Sequence, residues 1–156
     1  MEASVDSSIF RRPGHLINRA ARLMNRLGEE RFHPLGLAMA QLPVLYMLKD
    51  GASLTQKELA SRAQIEQPTM AQLLVRMERD GLIRRTDNPG DKRSSFISLT
   101  PLALKKIPIA RDLLTEGNER ALQGFTEREV ATLSRLLLRV VKNLDPEAAA
   151  QIERMR

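Results

Sequence analysis

The spacing of apolar positions along this chain is mainly helical, with hydrophobic side chains recurring every three or four residues. Leu16, Ala20, Leu23 and Leu27 form one stripe, which ends at the break Pro34-Leu35-Gly36. A second helix is predicted over about Met39 to Lys49, with Leu42, Leu45 and Leu48 inward and Asp50-Gly51 closing it. Pro43 removes a backbone donor inside that pattern, so a kink or a later start is expected. Other starts are better signposted. Thr55 and Glu58 have the spacing of a capping box, as do Thr126 and Glu129, and Gln67-Pro68 puts proline where a first helical residue needs no donor. Val130, Leu133, Leu137, Val140 and Leu144 then follow a heptad rhythm, that of a helix packed on another helix. Thr100-Pro101 and Asp145-Pro146 also read as cap plus proline, and Pro108 is expected to bend or reset the helix begun at Pro101.

Between Gly81 and Thr100 the rhythm changes. Leu82 to Thr86 and Ser95 to Leu99 are short and β-prone, and Asp87-Asn88-Pro89-Gly90-Asp91 between them is dense in turn formers. This predicts a two-stranded hairpin with a basic tip at Lys92-Arg93. The order of elements says more than any one of them. A capped short helix (about Thr55 to Ala63), a tight link at 64–66, a second helix (about Pro68 to Asp80), a stop at Gly81 and then the hairpin make a winged helix-turn-helix. Leu59, Ala60, Ile65, Met70, Leu74, Met77 and Leu82 would form its small core.

The remaining face of the second helix offers Gln67, Thr69, Gln72 and Arg76. Glutamine suits adenine, arginine suits guanine, and the threonine methyl suits that of thymine. The helix starts at Thr55-Gln56 and Gln67-Pro68 turn backbone amides outward, where a phosphate can sit. Lys92 and Arg93 are spaced to reach a neighbouring minor groove. Several side chains have two readings. Arg76 contacts DNA or pairs with Asp80; one of Arg84 and Arg85 meets phosphate and the other Glu78 or Asp87; Ser94 and Ser95 donate to phosphate or only continue the strand.

Composition narrows the function. The 156 residues suit one domain, and 25 Lys+Arg against 19 Asp+Glu give a formal charge of +6, which fits a polyanionic partner. The absence of cysteine removes disulfide scaffolds, cysteine zinc sites, thiol nucleophiles and thiol redox switches; two histidines argue against a transition-metal sensor. There is no glycine-rich phosphate loop and no nucleophile-plus-base motif, so neither an enzyme nor a cofactor is expected. The most apolar stretch, Leu35 to Leu48, is broken by Gln41 and Pro43 and is too short for a bilayer, and Met1 to Ser8 has no signal pattern. A cytoplasmic protein without a membrane partner is the expectation.

These motifs resemble the MarR family of transcription regulators. The likeness is sharpest in Leu54-Thr55-Gln56-Lys57-Glu58-Leu59-Ala60, in Ile65-Glu66-Gln67-Pro68-Thr69-Met70, in Glu78 through Arg85, and in Asn88-Pro89-Gly90-Asp91-Lys92-Arg93 leading to Ser98-Leu99-Thr100. The piece from Ile65 to Thr69 looks most like the SlyA-like branch. The resemblance implies a mainly α fold and a single domain over 1–156. Dimerisation helices would occupy about 9–36 and 101–156, and the winged helix-turn-helix about 38–100. It also implies a bacterial, nucleoid-associated repressor that binds a pseudo-palindromic double-stranded operator as a homodimer. Asp91 would brace Arg93 in the minor groove, and the helix from Pro68 to Asp80 would lie in the major groove. Ala38 departs from the family, where a hydroxyl residue commonly starts the second helix.

The residues themselves also favour a dimer, since the first helix and the helix from Val130 to Leu144 carry wider apolar faces than one winged domain can cover. The family resemblance further implies release from DNA by small anionic aromatics such as salicylate-type phenols. His15, Arg19, Arg22 and Arg26 share one flank of the first helix. His15 or Arg19 would form the charged end of such a pocket, with Met39, Leu42 and Tyr46 as apolar walls; otherwise that flank is a solvated face. The alternative function is a winged domain without an effector, used for architectural DNA binding or protein contacts.

Overall fold

The computed structural model describes residues 7–154, so the polar start read at Met1–Ser8 lies, up to residue 6, outside the described residues. Helix α1 (Pro13–Phe32) has a proline in its first turn and closes through a 3-10 turn at His33–Leu35 onto Gly36. A second 3-10 turn, Met39–Gln41, precedes α2 (Leu42–Leu48), whose first turn holds Pro43. The helix therefore starts later than the apolar pattern, at a place where the missing donor costs little. Ala38 lacks a hydroxyl, and the buried Gln41 takes over: its Oε1 accepts from the Ala38 amide at 3.0 Å. Glu29 accepts from the Met39 amide, also at 3.0 Å.

Helix α3 (Gln56–Ala63) begins at a complete capping box. Thr55 Oγ1 accepts from the Glu58 amide at 3.3 Å, and Glu58 Oε2 accepts from the Thr55 amide at 2.8 Å. The helix stops at Gln64, a non-glycine residue in the left-handed region (φ 52), which turns the chain tightly into α4 (Gln67–Arg79). Gly81 ends that second helix with φ 71, a conformation that a Cβ would strain.

Strands β2 (Ile83–Asp87) and β3 (Ser95–Leu99) form the expected hairpin, but the sheet has a further strand. Leu54–Thr55, β1, pairs antiparallel with β3, Leu54 opposite Ile97 and Thr55 opposite Phe96, giving the order β1-β3-β2. Two residues carry no readable alternation, so the sequence pattern missed it. The buried side of this sheet, Ile97 and Leu99, packs with Leu59, Met70, Leu74, Met77 and Leu82. Phe32, Val44, Leu45 and Leu48 continue that core, while Ile65 is half-buried at its edge.

Thr100 joins the winged region to α5 (Pro101–Ala121). Its Oγ1 donates to the Gly81 carbonyl at 2.6 Å and accepts from the Ala103 amide at 3.3 Å, and its own amide donates to the Leu82 carbonyl at 3.0 Å. Contrary to expectation, Pro108 does not reset α5, which runs on as one helix. Only one hydrogen bond is forfeited there, and buried Ala103 and Ala110 anchor the helix on either side of the proline.

The chain forms two compact units, the first ending at Asn118 and the second starting at Glu119. In the second, α6 (Glu127–Leu144) starts at the Thr126–Glu129 box and α7 (Pro146–Arg154) is capped by Asp145, whose Oδ1 accepts from the Glu147 and Ala148 amides. Leu16 and Leu23 of the α1 stripe are exposed within the protomer, as are Leu133, Leu137 and Val140 of α6. No helix of the described residues is long and apolar enough to cross a membrane.

The capping boxes make a testable statement about acid. Hydrogen bonds from the Thr55 amide, and then from its hydroxyl, hold the Glu58 carboxyl below its ordinary range, and Thr126 does the same to Glu129. A carboxyl depressed in the folded state adds stability above its unfolded pKa and loses it as pH falls through the folded one. The melting temperature should therefore drop as pH is lowered through the glutamate range, with a shallower slope in Glu58→Gln. An unchanged slope in that variant would remove the box from the account. Thr55→Ala should cost about 1 kcal/mol in denaturant unfolding.

Candidate nucleic-acid interface

Because β1 runs directly into α3, its pairing with β3 sets the start of that helix beside the wing. The result is a polar cleft of about 850 Å³ on the outer side of the winged region. From the two helix starts it takes Thr55, Gln56 and Gln67, and from the wing Arg85, Asp91, Arg93 and Ser94. Gln56 Nε2 donates to Gln67 Oε1 at 3.4 Å, so the two helix starts are bridged by side chains. Ser95, for which the sequence left phosphate contact open, also lines the cleft, as do Lys57 and Asn88, which were not singled out as contacts from the sequence. Lys57 had a signal, being the cation inside the first turn of the capped helix.

The wing turn is held by its own polar groups. Asn88 Oδ1 accepts from the Gly90 amide at 3.0 Å, and Asn88 Nδ2 donates to Ser94 Oγ at 2.9 Å. Asp91 Oδ1 accepts from the backbone amide of Arg93 at 2.9 Å. The aspartate thus acts on the arginine's main chain, and the Arg93 side chain, like that of Lys92, is exposed at the tip.

Arg85 is half-buried and bonds Glu78 Oε2 through Nε at 3.0 Å, while Arg84 Nε donates to Ser98 Oγ at 3.2 Å. Of the two arginines it is therefore Arg85 that takes the glutamate, while still lining the cleft. Asp80 pairs with Arg79 at 2.9 Å, not with Arg76. Pro68, Thr69, Gln72 and Arg76 are outside the cleft on the exposed face of α4, opposite the buried Met70, Leu73, Leu74 and Met77. No side chain caps α4, so its first-turn amides remain open to an anion.

A second, mostly apolar cleft of about 350 Å³ lies between the C-terminal half of α1 and α5. It is lined by Met24, Leu27, Met39, Leu113 and Leu114, with Arg31 as its cation. Arg31 Nη1 bonds Glu116 Oε2 at 3.2 Å. Met39 lies so close to Gly28 that a Cβ there would collide with its sulfur. Of the five residues assigned to a ligand pocket from the sequence, this cleft includes Met39 alone. His15 stands edge-on to Phe10, with ring centroids 5.1 Å apart, and its Nε2 is enclosed without a hydrogen-bond partner among the described residues. Arg19 is exposed on α1, Leu42 packs against the core, and Tyr46 is exposed under Lys49.

Comparison with known proteins gives this geometry its context. The MarR family model matches residues 35–94. Over 122 residues the chain is 33% identical to the uncharacterized HTH-type transcriptional regulator YwoH of Bacillus subtilis (strain 168), covering 78% of this chain and 88% of that one. The chain belongs to the MarR family. Among solved structures, a cysteine-to-serine mutant of Escherichia coli MarR complexed with operator DNA superposes on this MarR-family chain with a TM-score of 0.76 at 27% identity, covering 89% of this chain and 99% of the other. The transcriptional regulator SlyA superposes with a TM-score of 0.73 at 25% identity, covering 90% and 96%. A mainly helical chain with a small antiparallel sheet is the MarR winged-helix fold, and its relatives are transcriptional regulators, not enzymes.

Three substitutions test the described face. Gln72→Ala or Arg76→Ala should weaken binding by about 1–3 kcal/mol at particular base positions, read by binding to a panel of single-base variants. A uniform loss across the panel would move both residues to phosphate contact. Glu78→Gln should free the Arg85 guanidinium, raise affinity for random duplex and steepen its salt dependence.

Proposed function

We propose that this DNA-binding regulator is a repressor that acts as a homodimer on a pseudo-palindromic operator and is released by a small anionic aromatic molecule. The observation that carries the reading is the joint presentation of two features: a polar outward face on α4 and a basic wing tip, tied together through β1 and β3. Gln72 and Arg76 read base edges in the major groove, Lys92 and Arg93 enter the adjacent minor groove, and the cleft between them takes the phosphate backbone. Thr55, Gln56, Gln67, Pro68, Thr69, Arg85, Asp91 and Ser94 position that backbone or the side chains that meet it.

The exposed apolar faces of α1 and α6 support the dimer. Pairing about a two-fold axis buries them and sets two α4 helices roughly one DNA turn, ~34 Å, apart. On this reading residues 1–156 work as one dimer-forming domain, in the bacterial cytoplasm at the nucleoid. The α1–α5 cleft is the better candidate for the effector. Met39 and the leucines supply apolar walls, and Arg31 can exchange Glu116 for the ligand's carboxylate. His15 and Arg19 remain candidates for contacts at the dimer face.

Selection of bound duplex from a random pool tests the reading directly. A two-fold symmetric motif, protected as mirror-image footprints and lost in Arg93→Ala while the dimer persists, is the expected result. Steep salt dependence without a selected motif would indicate an architectural DNA binder instead. Millimolar salicylate should release operator from the wild type and fail to release it from Arg31→Ala; equal release from both would take the cleft out of the switch.

A further inference from the structure

One side chain on the DNA-facing helix is unexplained by the fold. Between Leu54 and Leu99, Val75 is the one large apolar residue left exposed, at 60%. The inner side of α4 is complete without it, since Met70, Leu73, Leu74 and Met77 are all buried. Helix formation does not call for it either, because a β-branched residue is a poorer helix former than alanine, leucine or lysine. At roughly 100° per residue, Pro68, Gln72 and Val75 fall within about a sixth of a turn of one another, on the pole opposite the core.

Its surroundings define what it can meet. Ala71 and Gln72 lie one turn before it, and Glu78 and Arg79, one turn after it, are engaged by Arg85 and Asp80. A lone branched methyl pair set among Ala71, Gln72 and the paired Glu78 and Arg79 is too small a patch for a partner helix or a membrane. It matches a single methyl group displayed among hydrogen-bonding atoms, which the major groove offers only at the C5 position of thymine.

We propose that Val75 is a specificity-determining residue, which reads a thymine methyl in each operator half-site between the bases met by Gln72 and Arg76. This rests on the assignment of α4 to the major groove made above. The contact adds no charge, so its contribution is to the choice of sequence and not to attraction for the duplex in general.

The test uses the full-length protein and the duplex obtained by random-pool selection. Thymines of one half-site are replaced one at a time by deoxyuridine, which lacks only the methyl group. Wild type should lose roughly fourfold in affinity at one position, the amount that follows from returning one buried methyl to water. Val75→Ala should bind the thymine and uridine duplexes equally at that position, with the melting temperature of the wild type. The inference is overturned if no uridine weakens the wild type, or if Val75→Ala keeps the uridine penalty. A wild-type protein that selects no motif would instead defeat the operator reading itself, and the Val75 assignment with it.

Discussion

Strand β3 is paired along both edges, to β1 at Leu54 and Thr55 and to β2 from Ile83 to Asp87, and its Ile97 is fully buried. That central strand is the reference for the outer face of the winged region. Through β1 it fixes the start of α3, through β2 it fixes the wing, and through Ile97 it supports the inner side of α4. Burying one isoleucine contributes about 1.5–3 kcal/mol, more than any exposed ion pair on this surface supplies. The exposed polar residues of α4 and of the wing tip are held in place by an apolar core in which they take no part.

The carboxylates near this face have unlike effects on the arginines beside them. Glu78 holds Arg85 by its guanidinium, so a phosphate has to compete for that cation. Asp91 directs its oxygen at the main chain of Arg93 and leaves the side chain unclaimed. A surface pair such as Glu78 with the half-buried Arg85 is worth about 1 kcal/mol, small beside the gain from neutralising phosphates in low salt. The pair therefore sets the orientation of Arg85 in the unbound protein without locking the cation away.

The winged region was legible because its punctuation is local. The Thr55–Glu58 box, the proline at 68, the stop at Gly81 and the turn formers from Asp87 to Asp91 each act within a few residues, and each marks a boundary found in the structure. What could not be read depends on distant chain. β1 has too few residues to show a period, and it exists because Phe96 and Ile97 lie opposite it. Pro108 looks like a break in one dimension and is spanned by packing in three. The apolar cleft was placed only in part, since Met39 was named but Arg31, Leu113 and Leu114 are brought there by the approach of α5 to α1. Val75 was placed neither in the core nor on the polar face, because an apolar residue off the buried stripe has no evident role until its exposure is known.

Thr100 gives the molecule a mechanical property. With one hydroxyl and one amide it is bonded to the carbonyls of Gly81 and Leu82 and also caps α5. The chain just after α4 and the beginning of α5 are thus joined by hydrogen bonds at a single residue. Loss of that one hydroxyl would therefore leave the Gly81 carbonyl and the Ala103 amide without their partner at the same time.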